Sequence, residues 1–211
     1  MNLAAKNLPE STVHIVDDDA AVCRSISLLM RSAGLQAHSY GSAGEFLRDY
    51  RPDGPACLIL DVRMPDMNGL ELQHVLAEKG IPIPVIMISG QADIPMAVSA
   101  IRQGALDFVE KPFTRGHLLE LVKQALAKDQ MEHAWRGRCA DVRKRMRQLT
   151  RREHSVLQGL LQGQQNKQVA AHLGISTRTV EAHRAHILRK LGLRSLSVLL
   201  NMPLHDLEQQ E

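Results

Sequence analysis

Aromatic residues are scarce in this chain of 211 residues, with three Phe, two Tyr and one Trp. That is too few for the stacking platform on which single-stranded nucleic acid binds. Cys23, Cys57 and Cys139 are odd in number, scattered and without ligand spacing. They frame neither a disulfide scaffold nor a zinc site, and read as reduced thiols of a cytoplasmic protein. No apolar stretch exceeds the length of a strand, so no membrane span is expected. Met1 to Glu10 also lacks the apolar core of a secretion signal. His172, His183 and His186 crowd one region, but no HExxH pattern or paired Cys makes a metal site of them. The length suits two modest domains.

What is present is a series of short apolar runs, each ending on a polar group. Val13-His14-Ile15-Val16 leads into Asp17-Asp18-Asp19, and Cys57-Leu58-Ile59-Leu60 into Asp61. Val85-Ile86-Met87-Ile88 leads into Ser89-Gly90, and Phe108-Val109-Glu110 into Lys111-Pro112. Apolar runs of this length without alternation suit parallel strands buried on both faces. Helical stretches lie between them. Ala20 to Ala33 stops at Gly34, Ser42 to Glu45 has capping-box spacing for a helix up to Tyr50, and Leu70 to Lys79 ends at Gly80. Pro95 suits the first turn of a helix ending before Gly104, and Thr114 opens one with Leu118, Leu121, Val122 and Ala125 on a single stripe. Strand and helix alternate five times, which predicts an α/β fold: a doubly wound, five-stranded parallel sheet with helices on both faces.

In such sheets the site forms outside the carboxyl ends of the strands, where the strand order reverses. The acids, the hydroxyl and the lysine are therefore expected in one crevice. Clustered carboxylates are unfavourable without a cation, and hard oxygen donors suit Mg²⁺. An Asp carboxylate is a competent nucleophile toward a phosphoryl group, whose oxygens a lysine, a hydroxyl and nearby backbone N–H groups can hold. Taken singly, the three aspartates could be turn and cap residues, and Lys-Pro only a loop. Four strand ends correct together argue for a site. A phosphatase or dehalogenase built on an Asp nucleophile needs a second Asp two residues on, where Arg63 stands, so an enzyme is not expected.

Val13 to Phe113 resembles the receiver domain of two-component response regulators. Asp61-Val62-Arg63-Met64-Pro65-Asp66-Met67-Asn68-Gly69 is similar to its phosphoacceptor loop, and Glu110-Lys111-Pro112-Phe113 to its lysine loop. The resemblance implies Asp61 as phosphoacceptor and Asp18 as the direct Mg²⁺ ligand. Asp17 would act largely through water, and the carbonyl of Arg63 would be a third oxygen ligand. Ser89, with Gly90 beside it, matches the switch hydroxyl, where Thr is commoner. Lys111 matches the family lysine. Phe108 matches the switch aromatic, where Tyr is frequent; lacking a hydroxyl, it can report only through ring packing. The face on which FixJ-like receivers pair would here carry Val98 and Arg102.

Beyond the receiver the charge changes sign. Residues 1–127 carry net −4 and residues 128–211 net +7, which suggests a polyanionic partner for the second part. Trp135, Cys139, Val142, Met146 and Leu149 recur at helical spacing across the join. This stripe fits either a helix lying on its own domain or a signalling helix that pairs in a dimer. Thr150-Arg151-Arg152-Glu153 is a capping box for a helix through Leu161. Asn166 to Leu173 and a helix capped by Ser176 and stopped by Gly192 are joined by Gly174-Ile175-Ser176. This is the pattern of a helix-turn-helix, although any three-helix bundle could carry similar charges on a solvated face.

Leu149 to Glu153, Asn166 to Ala170 and Thr179 to Arg184 resemble the LuxR-type DNA-binding domain. The order of the two parts is similar to the NarL/FixJ class. The reading is a receiver over 11–127, a helical linker over 128–147 and a DNA-binding domain over 148–211. By the resemblance Glu181, Ala182 and Ala185 face bases, with His183 beside them, while Lys167, Arg178, Thr179 and Arg184 contact phosphates. The final helix from Ser195, ended by Pro203, resembles the element this class uses to dimerise. The class implies a sensor histidine kinase, double-stranded promoter DNA and a phosphorylation-promoted second copy as partners, with RNA polymerase a possible further one. A small-molecule-responsive regulator with the same DNA domain would need an enclosed apolar cavity in place of the acidic crevice.

Overall fold

The computed structural model describes residues 11–91 and 94–202. The chain divides into two units between His133 and Ala134. In the first, strands β1 (Thr12–Val16), β2 (Gln36–Tyr40), β3 (Ala56–Asp61), β4 (Val85–Ser89) and β5 (Asp107–Glu110) alternate with helices α1 (Ala20–Ser32), α2 (Ala43–Asp49), α3 (Gly69–Glu78) and α4 (Ile94–Arg102). Helix α5 (Arg115–Met146) follows. All strand pairs are parallel, in the order β2-β1-β3-β4-β5, so the order reverses at β1 and β3.

Alternate strand residues feed two core layers. Val13, Ile15, Cys57, Ile59, Ile86 and Ile88 pack with α1 and the start of α5. Val16, Leu58, Leu60, Val85 and Met87 pack with α2, α3 and α4. The four apolar runs are four of the strands. The remaining strand, β2, has the polar sequence Gln36-Ala37-His38-Ser39-Tyr40 and no fully buried residue, because it lies at the sheet edge. Edge position explains why no apolar run marked it.

Helix starts follow their caps. Asp19 accepts from the Ala21 N–H at 2.7 Å at the head of α1. Ser42 accepts from the Glu45 N–H, but the Glu45 carboxylate accepts from Gly41 rather than from Ser42, so that expected box is only half formed. A full box that the sequence reading passed over joins Asn68 and Glu71 at the head of α3.

In the second unit α6 (Arg151–Leu161), α7 (Asn166–Leu173), α8 (Thr177–Leu191) and the short α9 (Ser197–Leu200) enclose a separate core. Cys139, Val142, Met146 and Leu149 are buried in it, with Trp135 partly covered, so the apolar stripe of the join packs within its own unit. These side chains are consumed by that core and are not left for a coiled-coil seam. The expected start of α9 at Ser195 moves to Ser197, and Pro203 lies outside the described residues. Gly174 takes φ +63° between α7 and α8, a left-handed turn that L side chains adopt only with strain.

The Thr150–Glu153 box forms in full, and it does more than cap. Glu153 is 4% exposed and also accepts from Lys190 of α8 at 2.7 Å. Burial pushes its carboxyl up, but the Lys190 ammonium and the Thr150 hydrogen bonds more than reverse this and hold it at about 2. A carboxyl depressed in the folded state adds stability above its unfolded value, lost as pH falls toward the folded one. The contribution should fade from pH 4.5 down to about 2. Glu153→Gln should cost about 2 kcal/mol near neutral pH, a figure kept low because the Lys190 side chain is 39% exposed. Denaturation followed by the fluorescence of Trp135, the chain's one Trp and part of this unit, checks both claims.

Candidate functional site

The carboxyl ends of β1 and β3 lie side by side at the point where strand order reverses, with the end of β5 completing the crevice. Asp17 and Asp61 are 1% and 5% exposed. The Lys111 ammonium, carried just past β5, donates to Asp17 Oδ2 and to Asp61 Oδ1, at 2.6 Å each. The remaining oxygens are engaged as well: Asp17 Oδ1 accepts from the Asp19 N–H at 2.9 Å, and Asp61 Oδ2 from the Arg63 N–H at 2.7 Å. Burial raises the Asp61 carboxyl and the Asp17 charge adds to this, while Lys111 pulls it back; the net direction is upward. Burial pulls the Lys111 ammonium down, but its two carboxylate partners reverse that and leave it above the ordinary lysine value. Two buried carboxylates thus share one cation, and the crevice remains short of positive charge.

That deficit and the donor set fit Mg²⁺. Asp17 and Asp61 supply oxygens in the crevice, and the Arg63 carbonyl belongs to the same loop. Asp18 is exposed, and Asp19 is taken by the α1 cap. Among the described residues no three acid, thiol or imidazole groups converge as a ready-made metal cage. This agrees with an ion that keeps waters and borrows substrate oxygens.

The switch residues are placed around this centre. Ser89, 1% exposed, donates to the Gln91 carbonyl at 3.0 Å, so its hydroxyl is closed on its own loop. Gly90 is exposed beside it. Phe108 is half-buried and packs on the α3–α4 side of the sheet. Two features escaped the sequence reading. The Arg63 guanidinium reaches Gln91 Oε1 at 2.5 Å, linking the loops after β3 and β4. Gly69 lies so close to the Asp61 backbone carbonyl that a Cβ there would overlap it, while the Gly69 N–H donates to Val62 at 2.9 Å. The Asn-Gly pair at the end of the phosphoacceptor-like loop was the available signal.

In the second unit Val180, Ile187 and Leu191 turn α8 inward. Arg178, Glu181, Ala182, Arg184 and Ala185 are exposed on it, and His183 is half-buried. Lys167 is exposed on α7. Thr179 is half-buried with its hydroxyl 2.8 Å from that of Ser176, so it serves the cap. Arg145, whose role the sequence left open, pairs with Asp141 at 2.8 Å and lies against Gly192.

Comparison with known proteins matches residues 13–123 to the response regulator receiver domain and 147–202 to the bacterial regulatory proteins of the luxR family. The chain belongs to the response regulators. It is 46% identical over 198 residues to the response regulator protein TmoT of Ectopseudomonas mendocina, covering 93% of this chain and 89% of that one. To the transcriptional regulatory protein FixJ of Rhizobium meliloti it is 39% identical over 198 residues, covering 93% and 97%. Among solved structures, the response regulator StyR aligns with TM-score 0.75 at 40% identity, covering 90% of this chain and 96% of that one. This response regulator is thus a two-component transcription regulator with a receiver and a LuxR-type DNA-binding domain, and not an enzyme. The family implies a histidine kinase and DNA as partners, and its receivers generally bind Mg²⁺ at the acidic pocket. No helix among the described residues is long and apolar enough to cross a membrane.

The geometry sets an expectation for Lys111. Lys111→Ala removes the ammonium that both buried carboxylates share, so Mg²⁺ should bind as well or up to several-fold more tightly, a gain of about 1 kcal/mol at most. Titration of Mg²⁺ by calorimetry checks the sign, and a large loss of affinity would contradict it.

Proposed function

We propose that Asp61 is the phosphoacceptor of this chain, that a histidine kinase supplies the phosphoryl group, and that phosphorylation promotes pairing and sequence-specific DNA binding. The observation that carries this is the Lys111 ammonium at 2.6 Å from both Asp17 and Asp61, at the reversal of strand order. An Asp61 carboxylate oxygen attacks phosphorus; the bond from phosphorus to the donor nitrogen breaks, and an acyl phosphate forms. Lys111 follows the new charge onto a phosphoryl oxygen. Ser89 leaves the Gln91 carbonyl and donates to another phosphoryl oxygen, beside the Gly90 backbone. Asp17, Asp18, Asp61 and the Arg63 carbonyl would hold Mg²⁺, which would supply further neutralisation of the phosphoryl charge.

The shift of Ser89 and repacking of Phe108 then select between two receiver states, with a coupling of about 1–3 kcal/mol. The face they remodel includes α4, where Val98 is 43% exposed and Ile94 81% exposed, with Arg102 at the end of the helix. A second copy covers that face. The domains follow as a receiver over 11–127, a join over 128–147 and a DNA-binding domain over 148–211, working in the cytoplasm, with RNA polymerase as a further partner at the promoter. Asp61→Asn keeps the shape of the pocket but lacks the nucleophile. With Mg²⁺ and a small phosphodonor, wild type should gain one hydroxylamine-labile phosphate by intact mass, and the variant none. Uptake at the wild-type rate by the variant would overturn the assignment.

On DNA, α8 enters the major groove, one helix per half-site about one helical turn apart. Lys167, Arg178 and Arg184 position it on phosphates, while Glu181, Ala182 and Ala185 face bases and His183 flanks them. Glu181 can accept from a cytosine N4, so Glu181→Ala should relax preference at one position at a cost of about 1–3 kcal/mol. Arg184→Ala should instead weaken all sequences alike and reduce the salt slope by roughly one. Site selection followed by salt titration separates the two effects.

A further inference from the structure

We propose that Gln73 of α3 keeps the placement of α4 marginal, and so sets how far phosphorylation shifts this receiver. For its trigger the inference rests on the Asp61 reading above; for its substance it rests on the packing of α4. Gln73 is 4% exposed, and its Nε2 donates to the Ala100 carbonyl of α4 at 3.3 Å. The same carbonyl accepts from the Ala105 N–H at 3.0 Å, the bond that closes the end of the helix. Gln73 Oε1 is the one buried side-chain oxygen or nitrogen among the described residues that lacks a partner. Turning the amide over does not relieve this, since it would set Oε1 against the Ala100 carbonyl, acceptor facing acceptor.

Among the described residues the apolar packing of α4 is slight. Ala100 is its only buried residue, Met96 is partly covered, and Ile94, Val98 and Ile101 are 81%, 43% and 47% exposed. An alanine offers little apolar surface, so a single amide group weighs heavily in the placement of the helix. A neutral hydrogen bond adds less to net stability than an orphaned buried acceptor costs. In this placement, therefore, Gln73 opposes α4 more than it holds it. A displacement that brings Oε1 to a donor relieves that opposition, which makes the helix ready to move. The Ser89–Gln91 loop, which releases its hydroxyl in the proposed switch, precedes α4 in the chain.

Gln73→Met keeps the length of the side chain and removes both amide groups; Gln73→Leu is a second variant of the same kind. In the full, unphosphorylated chain, hydrogen exchange of the amides over 100–105 should slow about tenfold in both variants, as expected when a local opening becomes harder. With Mg²⁺ and a small phosphodonor both should take up phosphate at the wild-type rate, while their phosphorylation-dependent gain in dimer by sedimentation falls about fivefold or more. A residue that merely fills space would leave exchange unchanged or faster and the response intact, and that result overturns the inference. If wild type itself takes up no phosphate or gains no dimer, the reading of Asp61 and its switch fails. The exchange arm then still decides whether Gln73 opposes α4.

Discussion

Two buried carboxylates sharing one lysine ammonium are the constraint around which the first unit is organised. Asp17 and Asp61 come from adjacent strands at the reversal of order, and Lys111 from beyond the last strand. Burial makes each charge expensive, and pairing offsets part of that cost for all three. The shortage of one positive charge gives the crevice affinity for a cation and makes an incoming phosphoryl group a change in its whole balance. Gly69, packed against the Asp61 backbone, and the Asn68 cap hold the acceptor loop from below.

The second unit depends on a comparable but simpler device. Glu153 caps its own helix and receives Lys190 from α8, so the first and third of its main helices are tied by a buried carboxylate. Gly159 of α6 admits Val169 of α7, and Gly174 turns the chain into α8. With Val180, Ile187 and Leu191 of α8 buried in the core, its opposite face is turned outward. A reading element gains specificity when its contacts are organised before it binds.

The four apolar strands and most of the helices were legible because burial on both faces and cap chemistry leave local marks. The strand β2 was not, since an edge strand needs little apolar sequence. The Ser42 box formed only by half, because the Glu45 carboxylate accepts from Gly41 instead. The stripe from Trp135 to Leu149 was readable as helix, but periodicity does not say which surface a stripe covers. Burial of Cys139, Val142, Met146 and Leu149 in the second core supplied that. Of the site, Asp17, Asp61 and Lys111 were brought together as expected, whereas Asp18 stays exposed and the Ser89 hydroxyl faces its own loop.

By itself the sequence determined residue type at each strand end, the two-part organisation, the turn glycines and the chemistry available to the crevice. These follow from local patterns, in which period, cap and charge are written within a few residues. Only the tertiary structure decided which acid meets the lysine, that Arg63 reaches Gln91, that Glu153 is paired with Lys190, and that one half of the Gln73 amide is left without a partner. Those facts join residues that are distant in the chain. They depend on distances and burial that arise only when the two core layers and the second core are packed.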